Sequence, residues 1–235
     1  MRILSYNIHK GIGNDRLYRI QRVIDVIRAE QPDIVCLQEV DREVSRSRYD
    51  DQPRLLASAL GFPYGLYQLN VRLRRGGYGN LLLTRYPIRE SHQISLRLRT
   101  KKPRGAQLAT LQIEGRALHL VHWHLGLAEA ERHWQMEHLL AHRSFRGAQH
   151  LPTVMIGDSN DWRNTLAAGP LGRAGFELVT SPPSRFRSFP SYLAMGSLDK
   201  AFVRGPLRAT HARVANHRLA RRASDHLPLI LDLSW

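Results

Sequence analysis

Between residues 64 and 123 the chain runs through five strand-like segments, 64–69, 79–84, 91–98, 106–113 and 116–123, with turns but no helix between them. Tyr86-Pro87 and Glu114-Gly115 mark two of those turns. Helical spacing is found elsewhere. Leu17, Ile20, Ile24 and Ile27 recur ahead of Pro32, with Val23 widening the stripe. Gln52–Leu60 reads as a short helix ended by Gly61, and 128–145 as a longer one with Trp134, Leu139, Leu140 and Phe145 on a broad face. Further strands are expected at 2–6, 33–37, 153–157, 198–203, 207–215 and 227–233, and 164–191 reads as a long functional loop with a short helical start. Too few helices separate the middle strands for a doubly wound parallel sheet. The pattern predicts an α/β (α+β) fold in which two packed sheets are covered by helices, as one domain over 1–235.

A set of polar residues is scattered along the chain, most of them at the C-terminal ends of these apolar runs: Asn7 in SYNIHKG, Glu39 in LQEV, His124 in VHWHLGL, Asp158 and Asn160 in IGDSN, Asp199 in SLDKAFV, and Asp225-His226 in ASDHLPL. A strand end can hand a polar side chain to a cleft. Carboxylates, a carboxamide and imidazoles gathered there can hold a hard cation such as Mg²⁺ or Mn²⁺ and attack a phosphate ester. Singly, each residue also reads as a strand-end charge or an Asp/Asn turn. The turn reading of IGDSN foretells nothing elsewhere, whereas the catalytic reading requires a matching Asp-His near the C-terminus, and Asp225-His226 supplies it.

Lys and Arg number 35 against 20 Asp and Glu, a net charge of +15, which favours polyanions such as nucleic acid or an anionic lipid surface. Only Lys10, Lys101, Lys102 and Lys200 are lysines, and such arginine dominance also follows from base composition. No apolar stretch is long enough to cross a bilayer, and the chain enters its first strand without a leader-like segment. Cys36 in IVCLQ reads as a buried hydrophobe; a lone cysteine makes no internal disulfide, so a cytoplasmic location is expected.

The order N, QE, GN, HL, GDxN, LD, SDH over about 3–233 resembles the endonuclease/exonuclease/phosphatase superfamily, which includes deoxyribonuclease I, abasic endonucleases, neutral sphingomyelinases and inositol polyphosphate 5-phosphatases. YNIHKG, GNLLLTRYPI, HLGLAEAERHWQ and SFPSYLAMGSLDKAFV look closest to a small bacterial branch of unassigned substrate. The resemblance implies a four-layer α/β/β/α sandwich of the deoxyribonuclease I kind with its site at one end of the sheets. It implies that Glu39 holds the metal and Asp225 completes the site. Asn7 would contact the phosphate or orient Asp158, which would deprotonate the attacking water. Asn160 would hold that water or a phosphoryl oxygen. His226, oriented by Asp199, would bind a non-bridging oxygen, and His124 would stabilise the pentavalent transition state or protonate the leaving oxygen. The implied function is a divalent-metal phosphoesterase acting on an anionic phosphoester. Nucleic acid, DNA or RNA, is the first expectation; a phospholipid or inositol or sugar phosphate, with peripheral membrane contact, is the alternative. A silent polyanion-binding module would not keep the acidic set intact.

His122-Trp123 stands where this superfamily commonly has Asn-Thr. His122 and His124 share a face, but no Asp-His follows to complete a zinc site, so His122 is expected as a hydrogen-bonded neighbour. Gly76-Gly77-Tyr78-Gly79 lacks the Gly-Lys-Ser/Thr of a nucleotide-binding loop and reads as a tight turn. His9, Arg74, Arg75, Asn80 and Arg187 are candidate substrate contacts. For Arg74 and Arg75, and for Arg187 among Arg185, Phe186 and Phe189, a solvated loop and a packed loop are the competing readings.

Overall fold

The two ends of the chain lie in one sheet: β1 (Arg2–Asn7) pairs in parallel with β2 (Ile34–Arg42) and antiparallel with the C-terminal β12 (Leu229–Ser234). The structure is a computed structural model and describes residues 1–235. Antiparallel β4 (Gly77–Thr84) and β3 (Tyr64–Arg72) extend this sheet on one side and β11 (Arg208–Val214) on the other, giving the order β11-β12-β1-β2-β4-β3. The second sheet has the order β5-β6-β7-β8-β10-β9. Its strands are β5 (Ile88–Ser95), β6 (Gly105–Ile113), β7 (Arg116–His124), β8 (Thr153–Asp158), β9 (Glu177–Leu178) and β10 (Asp199–Arg204).

Three apolar layers bind the assembly. Ile3, Ile34, Cys36 and Leu231 of one sheet meet Leu111, Leu120, Ile156 and Ala201 of the other. On the far side of the first sheet, Tyr6, Leu37 and Leu83 pack under α1 (Ile20–Glu30), α2 (Gln52–Leu60) and α7 (Arg218–Ala223) through Val23, Ile27, Leu56 and Ala220. On the far side of the second, Val121, Trp123 and Phe202 pack under α3 (Glu129–Ala141), α4 (Arg143–Gly147), α5 (Thr165–Ala168) and α6 (Pro170–Arg173) through Met136, Phe145, Leu166 and Leu171. This is the four-layer α/β/β/α sandwich. Each buried aliphatic side chain contributes about 1.5–3 kcal/mol relative to exposure.

Two helices differ from expectation. The first begins at Ile20, not near Leu17, because an Ile12–Tyr18 bridge and a bond from the Gly13 N–H to the Leu17 carbonyl (3.1 Å) hold the preceding segment in a loop, leaving Leu17 exposed. The span 128–145 is broken at His142, whose backbone is extended (φ −65°, ψ 137°) and whose ring accepts from the Ser144 N–H to cap α4. Trp134 is only partly buried and stacks on His138 at 4.9 Å. β2 runs beyond the expected 33–37 because a bulge between Leu37 and Val40 lets it continue to Arg42; Val40 thereby rejoins the face that packs under the helices.

Candidate active site

Strand register sets the first row of the site. His124 at the end of β7 is opposite Asp158 at the end of β8, and Asp158 is opposite Asp199 at the start of β10. Neighbours in register share a face, so all three side chains project from one end of the second sheet. Gly157 (φ +151°) lets β8 lie close against β7 just ahead of Asp158, since a Cβ there would lie 2.1 Å from the Trp123 carbonyl oxygen. From the other sheet comes Asn7, whose side-chain N–H₂ donates to Asp158 Oδ2 at 3.0 Å while its oxygen accepts from the His9 N–H at 3.1 Å. The site thus lies at one end of the packed sheets, with groups from both.

Asp158 is held from several directions. The Asn160 N–H donates to its Oδ1 at 3.0 Å, and His124 Nε2 and His226 Nε2 approach Oδ2 at 3.4 and 3.7 Å. Asn160 is itself turned (φ +49°) and donates through its amide to the Leu125 carbonyl at 3.0 Å. Burial pushes the Asp158 carboxyl above the usual carboxylate range, against the opposing pull of His226.

The two histidines are in opposite charge states. His226 Nδ1 donates to Asp199 Oδ2 at 2.9 Å, and Ser188 Oγ donates to the same oxygen at 2.6 Å. Burial pulls the His226 pKa down, but the carboxylates of Asp199 and Asp158 outweigh it, so the imidazolium persists above its usual range. Phe189 covers this ring at a centroid distance of 4.9 Å. His124 is held neutral, well below the usual histidine pKa, by burial and then by Arg104. Arg104 Nη1 lies 3.1 Å from His124 Nδ1. A guanidinium can only donate, so Nδ1 accepts and the ring proton is on Nε2, facing Asp158.

Glu39 follows from the β2 bulge, with left-handed backbone (φ +57°). Its carboxylate is ion-paired with Lys10, delivered by a turn in which His9, Lys10 and Gly11 all have positive φ (44°, 64° and 76°). Burial raises the Glu39 pKa, but Lys10, Lys102 and Arg104 reverse that and leave it below the usual range. Asn80, opposite the bulge and buried, donates to the Gly105 carbonyl at 3.0 Å while its own side-chain oxygen has no partner. Asp225 is partly exposed, 3.9 Å from His9 Nε2 and within 3.3 Å of Ser224 Oγ.

Asn7, His124, Asp158, Asn160, Asp199 and His226 therefore form one connected network. His9 and Asp225 adjoin it through Asn7, and Glu39 and Asn80 stand at the bulge. Asp158, Asp199 and His226 also bring possible metal-ligand atoms within 4.8 Å of one another; Glu39 and Asp225 lie outside that group of three. Arg74, Arg75 and Arg187 are exposed and no hydrogen bond links them to the network; Arg75 rests on the Tyr49 ring at 4.3 Å. His122 faces the same way as His124 but joins Gln38 (2.7 Å) and Gln107 (2.9 Å) between the sheets. Lys10, Arg104 and Ser188 were not among the expected site residues. Lys10 lies inside the YNIHKG segment and Ser188 opens SFPSYLAMGSLDKAFV; Arg104 carries no local signal, because the pairing of Gly105 with His124 is what brings it in.

Residues 4–226 match the Endonuclease/Exonuclease/phosphatase family. The uncharacterized protein YbhP of Escherichia coli (strain K12) is 31% identical over 244 residues, covering 99% of this chain and 95% of YbhP. A solved endonuclease/exonuclease/phosphatase of Beutenbergia cavernae superposes with a TM-score of 0.86 at 22% identity, covering 99% of this chain and 71% of that one. A mannosyl-6-phosphatase of Bacteroides thetaiotaomicron superposes with a TM-score of 0.77 at 16% identity over 100% of both chains. With its four layers, its site between the sheet ends and a match over nearly its whole length, the chain belongs to the Endonuclease/Exonuclease/phosphatase family.

Proposed function

We propose that the chain hydrolyses a phosphodiester with the help of a divalent cation. The observation that carries this reading is the cluster at one sheet end: Asp158, held by Asn7 and the Asn160 N–H, lies between His124 and the Asp199-bound His226. Asp158 takes the proton of the attacking water, its carboxylate aimed by Asn7 and the Asn160 N–H. His226 donates to a non-bridging phosphoryl oxygen as charge grows there, with Asp199 fixing its proton on Nδ1 and its charge. His124 Nε2–H adds a second, neutral donor. Burial and Arg104 keep His124 neutral, which favours transition-state stabilisation over protonation of the leaving oxygen.

The donor set suits a hard cation in type: Glu39 is a carboxylate kept ionised, from which a bound cation would displace Lys10, and Asp225 is a second, more open carboxylate. Glu39 and Asp225 would hold Mg²⁺ or Mn²⁺, which when bound supplies Lewis-acid neutralisation at the phosphate.

Taken by itself, the net charge of +15 suits a polyanion such as DNA or RNA. A phospholipid is the second reading, favoured by exposed apolar side chains beside the site. The buried lone Cys36 supports a cytoplasmic location, and no helix is long and apolar enough to cross a membrane. The test is a hydrolysis panel with Mg²⁺ or Mn²⁺ over plasmid, abasic duplex, phospholipids and phosphorylated inositols. At least one class should be turned over, with Asp158→Asn slower by about 10²–10⁴. Equal rates for variant and wild type, or no turnover of any ester, would reject the reading.

A further inference from the structure

Nine large apolar side chains remain exposed, and four of them, Trp162, Tyr192, Leu193 and Met195, lie in two loops bordering His226 and Asn160. Each is between 56% and 67% exposed. Trp162 follows Asn160 by two residues, and its ring meets Phe189 edge-on at 6.2 Å; Phe189 in turn covers His226. The Met195 N–H donates to the Phe189 carbonyl at 2.9 Å and the Leu193 N–H to that of Pro190 at 3.0 Å. The Ser191 N–H donates to the Asp225 carbonyl at 2.7 Å, so this loop is tied to the catalytic set itself. Leu127, 73% exposed, lies two residues beyond Leu125, whose carbonyl holds Asn160.

The two loops carry mainly positive charge, with Asp225 and the exposed Glu129 as the carboxylates beside them. Residues 159–164 and 186–196 carry a single carboxylate, Asp161, which is fully buried, while Arg163 and Arg187 are exposed. Adjacent α7 presents Arg218, Arg221 and Arg222 and no acid, and the Arg221 carbonyl accepts from Ser191 Oγ at 3.2 Å. Trp and Tyr would serve a stacking platform for bases, but Leu193 and Met195 would not. Exposed aliphatic and aromatic side chains ringed by arginine suit the boundary of an anionic bilayer.

We propose that this rim docks on an anionic lipid surface and presents a phospholipid phosphodiester to the site, an inference that rests on the phosphoesterase reading for its second half only. The docking test uses Asp158→Asn protein in EDTA, so that hydrolysis plays no part. It is sedimented with vesicles of phosphatidylcholine mixed with phosphatidylglycerol, and with phosphatidylcholine alone. Binding should favour the mixed vesicles and fall about tenfold or more when Leu193→Glu and Met195→Glu are added, since two apolar anchors leave the interface. Circular dichroism checks that the exposed substitutions leave the fold unchanged. Absence of vesicle binding, equal binding by the added variants, or an oligonucleotide bound in place of vesicles would overturn the docking face. Wild-type turnover of bis(p-nitrophenyl) phosphate tests the chemistry separately. Vesicle binding without turnover of any ester leaves the docking face standing and removes the catalytic reading; turnover without vesicle binding does the reverse.

Discussion

Asp158 and His226 share their oxygen and nitrogen edges within 3.7 Å, and each raises the question of when the other carries a proton. The reaction needs Asp158 ionised, so activity rises as pH passes its raised pKa. The acid limb of kcat/KM should therefore fall above the ordinary carboxylate range. It also needs His226 charged, so activity declines only as pH passes a pKa raised above the ordinary histidine range. Asp199→Asn removes the carboxylate on His226 Nδ1, and the basic limb should move to lower pH in profiles taken on a soluble ester; an unmoved limb would deny Asp199 its positioning role. Stability follows the opposite logic at Asp158. A carboxyl whose pKa is raised by folding favours the native state below its unfolded pKa and loses that advantage as pH rises through the folded one. Asp158→Asn should thus lose activity yet melt no lower than wild type at mildly alkaline pH, as calorimetry can check.

Among the elements, β7 carries the widest range of duties. His124 serves the site, Trp123 and Val121 face the helices, and His122 bridges the sheets between Gln38 and Gln107. Burial lowers the His122 pKa to about 3, and burial followed by Arg204 lowers that of His119 to about 4. Both rings stay neutral in the fold while the unfolded chain takes up protons below about 6.5. The unfolded state then binds more protons, so stability should climb with pH from about 3 to about 6.5 and level off above. His122→Leu should flatten that slope. At neutral pH it should cost about 1–3 kcal/mol, because the Gln38 amide and the Gln107 oxygen lose a partner. Urea unfolding at acid and neutral pH measures both effects.

For the whole molecule, the metal-ligand candidates join distant parts of the chain, Glu39 at the β2 bulge and Asp225 ahead of β12. A cation held there binds the folded chain alone. Saturation to about a hundred times its dissociation constant should add about 2.7 kcal/mol, a rise of several degrees in Tm at ~2–4 °C per kcal/mol. Mg²⁺ should raise the wild-type Tm, and Glu39→Gln should abolish the rise; an undiminished rise in the variant would place the cation elsewhere.

The division between chain and fold runs through particular residues. Apolar runs closed by Asn7, Glu39, His124 and Asp158, and the one opened by Asp225-His226, were legible because strand formation and the turn beside it are local events, and their order along the chain carried the family. Two packed sheets covered by helices followed from five middle strands without intervening helices, and the family resemblance implied the four layers. The sequence by itself thereby determined the architecture and the family. Tertiary structure decided which groups meet. Register set Asp199 against Asp158, the start of β6 brought Arg104 to His124, and Lys10 was turned onto Glu39. It also left the four apolar side chains of two loops together beside His226. Burial and neighbouring charge, neither of them a property of any short segment, then made one histidine neutral and the other charged.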